Sequence, residues 1–171
     1  MQFRTERLVL RPARADDVEP LHAIFSDPRA MAYWSSLPHG DLETTRDWLS
    51  SMMTIEPGEG EDFIIEYDGQ LIGKAGLYRF PEIGYILHPD HWDRGYAREV
   101  LTLVIDRAFE VHGLERIAAD VDPRNEGSLA LLRKLNFRET HRAERTWHIG
   151  GQWYDSIYLA LDASDWRQSR P

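Results

Sequence analysis

The sequence contains no cysteine, and it has fewer basic than acidic side chains. Without cysteine the chain can form no disulfide, no thiolate metal site and no cysteine nucleophile. The 20 lysine and arginine residues against 29 aspartate and glutamate residues give a formal net charge of −9. This balance argues against binding to nucleic acid or to an anionic membrane, because both require a basic surface. We therefore expect a cationic partner.

Long apolar runs are also absent. No segment approaches the ~18 apolar residues of a membrane-spanning helix. The amino-terminal segment 1–17 scatters charges where a signal peptide requires an apolar stretch. A length of 171 residues with 42% hydrophobic content suits one buried core. We expect a single cytoplasmic domain over residues 1–171.

Hydrophobic periodicity indicates strands and helices in alternation. Strands are predicted at 8–10, 63–67, 71–78, 82–87, 116–121, 137–147 and 153–161. Helices are predicted from a cap at Asp16 or Asp17, from 41 to about 52, from near Gly95 to 112, and over 125–135. Turn signals stand at Asp68-Gly69 and Gly150-Gly151. An antiparallel meander that leads into a strand–helix–strand–helix unit predicts an α+β, or mixed α/β, fold.

The segment 91–99 lies between a predicted strand and a strongly periodic helix, and reads His-Trp-Asp-Arg-Gly-Tyr-Ala-Arg-Glu. Gly95 allows a ligand to approach the backbone closely, and the free amides at a helix start attract an anion such as pyrophosphate. A tight turn at Gly95 with solvated Arg94 and Arg98 would explain the same residues. The segment is neither a P-loop nor a three-glycine dinucleotide fingerprint.

The second informative segment is 121–137, where a strand gives way to a helix at Asn125. Asn125 fits a helix N-cap, and Leu129 and Leu132 fit buried packing positions. Ser128 lies about one turn into this helix. The pattern therefore places an amide and a hydroxyl at the same end of the predicted sheet.

Taken together, the two segments resemble the GNAT superfamily of N-acetyltransferases. The first matches its signature Gln/Arg-x-x-Gly-x-Gly/Ala from Trp92 to Ala97, except that Trp92 replaces the opening polar residue. The second matches the later Asn-x-x-Ser pattern. The segments 5–12 and 82–87 are similar to those of the RimJ/RimL type, the ribosomal-protein N-terminal acetyltransferases. This resemblance spans nearly the whole chain.

The resemblance implies a central, mostly antiparallel twisted sheet of about six to seven strands, with a splayed pair of parallel strands and about four flanking helices. It implies acetyl-CoA as cosubstrate, bound by the strand Tyr85, Ile86 and Leu87, by the helix start at Trp92, Arg94, Gly95, Tyr96, Ala97 and Arg98, and by Asn125, Ser128 and Arg133. Lys134 belongs to the same local basic cluster. Many family members carry a proton-donating tyrosine where this chain has Leu132, so the implied general acid is Ser128.

Glu82, at the start of a strand, is the candidate base, acting directly or through water. A protonated amine must lose a proton before it attacks a thioester. An exposed charge at a strand end explains Glu82 equally well, and Asp120 and Asp122 are weaker candidates. A covalent acyl-enzyme is not expected, since there is no cysteine and no Gly-x-Ser-x-Gly elbow. We therefore expect direct transfer of the acetyl group from acetyl-CoA to the amine in a ternary complex.

The acceptor is open at this stage. A protein N-terminal α-amine is the first prediction, since its pKa of about 8 makes it the easier nucleophile. A small amine such as an amino acid, a polyamine or an aminoglycoside is the alternative, and a non-catalytic acyl-CoA-binding module is a third. A broad acidic groove open at both ends would favour a peptide, and a closed pocket a small molecule. Trp34 and the stretch 31–37 are candidates for lining the acceptor cleft.

Two further expectations concern metals and assembly. Histidines and aspartates crowd together at 88–93, but Pro89 breaks the helical register there, and no metal site is predicted. A monomer and a homodimer are both compatible with the sequence, and a strand at 153–161 could pair between subunits if it formed a sheet edge.

Overall fold

The computed structural model describes residues 1–169. Its eight strands form one sheet in the order β1-β2-β3-β4-β5-β6-β8-β7. The strands are β1 Phe3–Arg4, β2 Leu8–Arg11, β3 Glu61–Tyr67, β4 Gln70–Arg79, β5 Glu82–Leu87, β6 Arg116–Val121, β7 Arg138–Ile149 and β8 Gln152–Asp162. All neighbouring strands are antiparallel except β5 and β6, which are parallel.

Five α-helices accompany the sheet in the described part of the chain. They are α1 Val18–Phe25, α2 Leu42–Met53, α3 Tyr96–Glu110, α4 Glu126–Lys134 and α5 Ala163–Gln168. Short 3₁₀ turns at Ala15–Asp17 and Pro89–His91 precede α1 and α3. The α2 helix is capped by the Asp41 carboxylate, which accepts from the Thr44 amide at 2.8 Å.

The helices divide between the two faces of the sheet because strand side chains alternate. On one face, Phe63 and Ile65 belong to the larger core with α3, α4 and α5. On the other face, Ile64 and Ile86 pack with Leu21 and Leu49 of α1 and α2. The sheet is therefore covered by α3–α5 on one side and by α1 and α2 on the other.

The predicted fold class is confirmed, including the parallel pair inside a mostly antiparallel sheet. The two elements outside the sequence prediction are short: β1 has two residues and α5 has six. Neither length allows a clear hydrophobic period. The turns at Asp68-Gly69 and Gly150-Gly151 are present, and all four residues have positive φ.

Two local expectations were wrong. Asp17 does not cap α1 with its side chain, because its carboxylate is buried in a bidentate ion pair with Arg11 and also accepts from the Arg14 amide. The strand around 153–161 is not a sheet edge, since β8 lies between β6 and β7. The edge is β7, whose many exposed charged side chains discourage pairing with another chain.

Candidate active site

The parallel strands β5 and β6 separate soon after they meet. Their paired register consists of one position, Glu82 opposite Ala118. Beyond it, the β6-facing edge of β5 from Ile83 to Leu87 makes no ladder with β6. Because the strands are parallel, their carboxyl ends lead to the starts of α3 and α4, on either side of this opening. A narrow ligand could pair with the free edge of β5 there.

The start of α3 presents unpaired amides to this end of the sheet. Gly95 is the N-cap, with a φ of 80° in the left-handed region that favours glycine. The first hydrogen bond of the helix joins the Glu99 amide to the Gly95 carbonyl. The N–H groups of Tyr96, Ala97 and Arg98 therefore have no acceptor within the helix. Together with the helix dipole they make this surface suitable for an anion.

Side chains around this helix start have different roles. The Tyr96 ring is buried in the core, so this residue can offer a ligand only its backbone. Arg94 and Arg98 are exposed. Trp92 donates from its indole N–H to the Leu87 carbonyl at 3.0 Å, which holds it at the end of β5 with 44% of its surface exposed.

The amino-terminal segment holds the start of α3 in place. Arg7 donates to the Arg94 carbonyl at 3.0 Å and to Glu99 Oε2 at 2.8 Å. The Arg7 amide and the Thr5 hydroxyl both donate to Glu99 Oε1. These hydrogen bonds lower the pKa of Glu99 even though its partial burial acts in the opposite direction. We call Thr5, Arg7 and Glu99 the amino-terminal clamp.

At the start of α4, Asn125 caps the helix as the sequence predicts. Its Oδ1 accepts from the Ser128 amide at 3.1 Å, which leaves the amino group of the same side chain for a ligand. The Ser128 hydroxyl lies 2.5 Å from the Tyr85 hydroxyl of β5. Burial raises the pKa of Tyr85 to about 12, so the phenol stays protonated at neutral pH.

Arg133 lies at the other end of α4. Eight positions at a rise of ~1.5 Å place it about 12 Å from Asn125 along the helix, and it pairs with Glu139 at 3.9 Å. Its predicted contact with the cosubstrate remains a prediction.

Glu82 stands where β5 begins, on the face covered by α1 and α2. Its carboxylate accepts a hydrogen bond from the Tyr78 hydroxyl. It also forms an ion pair with Arg79, with a nitrogen–oxygen distance of 2.9 Å. Partial burial disfavours the Glu82 carboxylate, but these two donors outweigh it and lower its pKa below the ordinary value. Glu82 is therefore ionised at neutral pH and is a weak base that attracts cations.

A cleft of about 730 Å³ opens over Glu82 and Gly84. Its walls are aromatic and its charge is mainly negative. The aromatic lining includes Tyr33, Trp34, Trp48, Tyr78, Trp147 and Tyr154. The lining carboxylates are Asp62, Glu82, Asp120, Asp122 and Asp155, against the cations Lys74 and Arg116. Trp34 lies in the wall of this cleft, and its predicted contact with the acceptor stays a prediction.

A bridge crosses this cleft. The loop between α1 and α2 starts from helices that pack over β3 and β5, yet Tyr33 lies 5.3 Å from the guanidinium of Arg124, beyond β6. Arg124 also stacks on Tyr154 at 4.6 Å. Leu37 meets the β7–β8 turn, where a Cβ built on Gly150 would lie 3.0 Å from its side chain. We call the five residues Tyr33, Leu37, Arg124, Gly150 and Tyr154 the bridge, of which Tyr33 and Tyr154 line the cleft itself.

A buried ion pair forms part of the cleft floor. Lys74 donates to Asp62 at 2.8 Å, with side-chain exposures of 1% and 2%. The Lys74 ammonium lies 5.9 Å from the Trp34 ring and 5.7 Å from the Trp48 ring. Burial raises the pKa of Asp62 despite the neighbouring lysine. One aromatic cage of the cleft is thus already filled by a cation of the protein itself.

Several of these residues were not predicted from the sequence. The clamp, the bridge, the Lys74–Asp62 pair and the Tyr85 hydroxyl all depend on contacts between distant segments. The one sequence signal among them is Lys74, a charged residue in the middle of the apolar strand β4. Such a residue is buried only with a partner.

Within residues 1–169, no group of three or more histidines, aspartates and glutamates is arranged to hold a metal ion. The same residues contain no helix that is both long enough and apolar enough to cross a membrane.

A splayed strand pair, a helix start with free amides and an acidic cleft on the opposite face are the features expected of an acyltransferase that acts on amines. The family model of the acetyltransferase (GNAT) domain matches residues 7–138. The chain is 33% identical over 144 residues to p20 of Bacillus licheniformis, an uncharacterized N-acetyltransferase, with 79% of this chain and 81% of p20 covered. This protein belongs to the GNAT family and is an N-acetyltransferase.

Solved structures share the fold but differ in acceptor. A spermidine N-acetyltransferase from Vibrio cholerae, solved with CoA and spermine, is 21% identical with a TM-score of 0.81, covering 94% of this chain and 98% of that one. A ribosomal-protein-S5-alanine acetyltransferase from Vibrio fischeri is 24% identical with a TM-score of 0.80, covering all of both chains. At these identities the likeness concerns the fold, and the acceptor must be argued from the site.

The buried ion pair leads to a prediction about stability. Lys74→Met should lower the free energy of unfolding by about 3–5 kcal/mol, because it leaves the Asp62 carboxylate buried without its cation. Since the pKa of Asp62 is raised in the folded state, protonation favours the fold. The loss should therefore be smaller at about pH 5 than at about pH 7. Urea unfolding at both pH values measures it.

The control is the double variant Lys74→Met with Asp62→Leu, which replaces the pair by apolar side chains. It should recover most of the lost stability. Equal losses in the single and double variants would contradict an energetically coupled pair.

Proposed function

We propose that residues 1–171 form one catalytic domain that transfers an acetyl group from acetyl-CoA to a small cationic primary amine, by direct attack in a ternary complex. The observation that carries the proposal is the opening between β5 and β6. The free edge of β5 begins in the acidic cleft, beside Glu82 and Gly84, and leads to the start of α3, while β6 leads to the start of α4. An acyl donor and an amine can therefore approach the same point from two sides.

The residues present fit acetyl-CoA. The amides of Tyr96, Ala97 and Arg98 suit its pyrophosphate, with Arg94 and Arg98 nearby. The free edge of β5 from Ile83 to Leu87 suits an amide-containing arm, and the Asn125 amino group can donate to it. When bound, the cosubstrate supplies an acyl group activated as a thioester.

The acidic cleft suits an amine that arrives as a cation. Glu82 is ionised, so it can hold the ammonium group near the opening and accept its proton, directly or through one water. The neutral amine then forms a bond from its nitrogen to the thioester carbonyl carbon, and the carbon–sulfur bond breaks with its electron pair on sulfur. No side chain of the protein forms a covalent bond to the acyl group in this reaction.

The bridge supports a small amine as the first acceptor, in place of the protein N-terminus predicted from the sequence. A peptide would have to extend past Tyr33, Leu37 and Arg124, where the loop meets the far side of the cleft. A protein N-terminal α-amine remains the second candidate, favoured by its lower pKa.

The proposal is tested by measuring thiol release from acetyl-CoA with matched acceptors, together with the product mass. The panel contains an aliphatic polyamine, a diamine, free amino acids and peptides of about six residues. We expect kcat/KM for small cationic amines to exceed that for peptides by at least about tenfold. A preference for peptides would overturn the choice of acceptor, and coenzyme binding without thiol release would identify a non-catalytic module.

The bridge itself provides a matched variant. Tyr33→Ala combined with Leu37→Ala removes two bridge side chains and should raise peptide turnover relative to small-amine turnover. An unchanged ratio would show that the bridge does not select the acceptor.

Glu82→Gln tests the base. It should lower kcat/KM for the amine by at least about 10² near pH 7. The loss should become smaller above the pKa of the amine, where the nucleophile no longer needs to lose a proton. Glu19→Gln, the same change at an exposed position of α1, is the control. A pH–rate profile for Glu82→Gln that matches that of the unmodified protein would exclude Glu82 as the base.

Arg7→Ala tests the amino-terminal clamp. Loss of its hydrogen bonds to Arg94 and Glu99 should raise the KM for acetyl-CoA about tenfold, with kcat nearly unchanged. Arg4→Ala, which removes an exposed arginine from the same segment, is the control. Equal effects of both changes would indicate a general charge effect, and no effect of Arg7→Ala would remove the clamp from cosubstrate binding.

A further inference from the structure

The hydroxyl groups of Tyr85 and Ser128 form a pair at the opening between β5 and β6. They lie 2.5 Å apart and come from opposite sides of it, Tyr85 from the free part of β5 and Ser128 from the helix that follows β6. Ser128 is the only hydrogen-bond partner of the Tyr85 hydroxyl within residues 1–169. Apart from Ser128, only a ligand that enters the opening can therefore form a hydrogen bond with the Tyr85 hydroxyl.

The number of protons in the pair limits what each hydroxyl can do. Each hydroxyl carries one proton and can also accept hydrogen bonds. If Ser128 donated to Tyr85, the Ser128 proton would be used inside the pair. If Tyr85 donates to Ser128, the Ser128 proton is free to point into the opening. Because Tyr85 is buried and stays protonated, it must place its own proton on an acceptor, and the Ser128 oxygen provides one.

The acidity of the two partners argues against complete proton transfer to sulfur. An ordinary alkyl thiol has a pKa of about 8.5, whereas the pKa of Tyr85 is about 12. The pair therefore holds its protons more tightly than an ordinary thiol does, and transfer of one of them to a thiolate is uphill. A hydrogen bond to the developing negative charge carries no such cost, and preorganised donors of this kind are effective in buried sites.

We propose that Tyr85 is a positioning residue that donates to Ser128 and so directs the Ser128 proton at the departing sulfur, where the pair stabilises the thiolate by hydrogen bonding and transfers no proton to it. When the carbon–sulfur bond breaks, the electron pair stays on sulfur and both O–H bonds remain intact. The proton released by the amine leaves through Glu82 or water. The thiolate takes its proton from solvent. This inference rests on the proposed function, and it replaces the general-acid role that the sequence implied for Ser128.

The test is a double-variant cycle with kcat and the KM for acetyl-CoA measured separately. Ser128→Ala should lower kcat by about 10², the usual effect of losing one such donor. Tyr85→Phe should lower kcat by about tenfold. The double variant should be no slower than Ser128→Ala, because Tyr85 acts only through Ser128. The KM for acetyl-CoA should stay within about twofold throughout.

Two further measurements separate this role from packing and from acid catalysis. In the Ser128→Thr background, which keeps a hydroxyl, Tyr85→Phe should still lower kcat about tenfold. Tyr67→Phe, the same change at a tyrosine outside the opening, should leave kcat unchanged. The ratio of kcat in H2O to kcat in D2O should be the same for the unmodified protein and for Ser128→Ala, since no proton of the pair is transferred to sulfur.

The opposite results would overturn the inference. They are an unchanged kcat for Tyr85→Phe, additive losses in the double variant, or a solvent isotope effect in the unmodified protein that Ser128→Ala removes. If Tyr85→Phe alone fails to fold, Tyr85→Leu takes its place in the cycle, and the isotope comparison between the unmodified protein and Ser128→Ala requires no change at Tyr85. Absence of thiol release from the unmodified protein with every acceptor would overturn the proposed function and this inference together.

Discussion

β5 and β6 are paired at one register position, Glu82 opposite Ala118, and the rest of the site depends on their separation beyond it. A complete parallel ladder would consume the backbone groups from Ile83 to Leu87 and close the sheet. Separation instead leaves a free strand edge in the interior of the molecule. It also keeps the starts of α3 and α4 apart, so that two helix amino-termini border one opening. Because unpaired backbone groups are costly, this edge suits the amide-containing arm of the proposed cosubstrate.

The start of α3 and the cleft over Glu82 differ in their electrostatic character. The backbone amides at the start of α3, which Arg7 and Glu99 hold in place, suit the anionic cosubstrate of the proposed function without any net positive charge. The acidic excess appears in the cleft on the other face, where Glu82 is held ionised by Tyr78 and Arg79. A net charge of −9 is therefore compatible with an anionic cosubstrate and favourable for a cationic acceptor.

The cleft already contains a cation of the protein. The Lys74 ammonium lies 5.9 Å from the Trp34 ring and 5.7 Å from the Trp48 ring, so in the proposed function an acceptor ammonium is left with Glu82. The contact between Tyr33 and Arg124 is the feature proposed to limit the length of the acceptor. Solved structures with the same fold include acetyltransferases named for a polyamine and for a ribosomal protein. The acceptor is thus a property of loops and side chains on a common sheet.

The sequence by itself determined the features that local interactions specify. Gly95 starts α3 because a left-handed residue is needed there, and Asn125 caps α4 through an amide only three residues away. The strand periods, the Asp68-Gly69 turn and the family signature are local in the same sense. Only the tertiary structure decided the contacts between distant segments. Tyr85 and Ser128 are 43 positions apart, and Arg7 and Glu99 are 92 apart. Such pairs form because the sheet order places their strands and helices side by side, and no local pattern in the chain encodes that order.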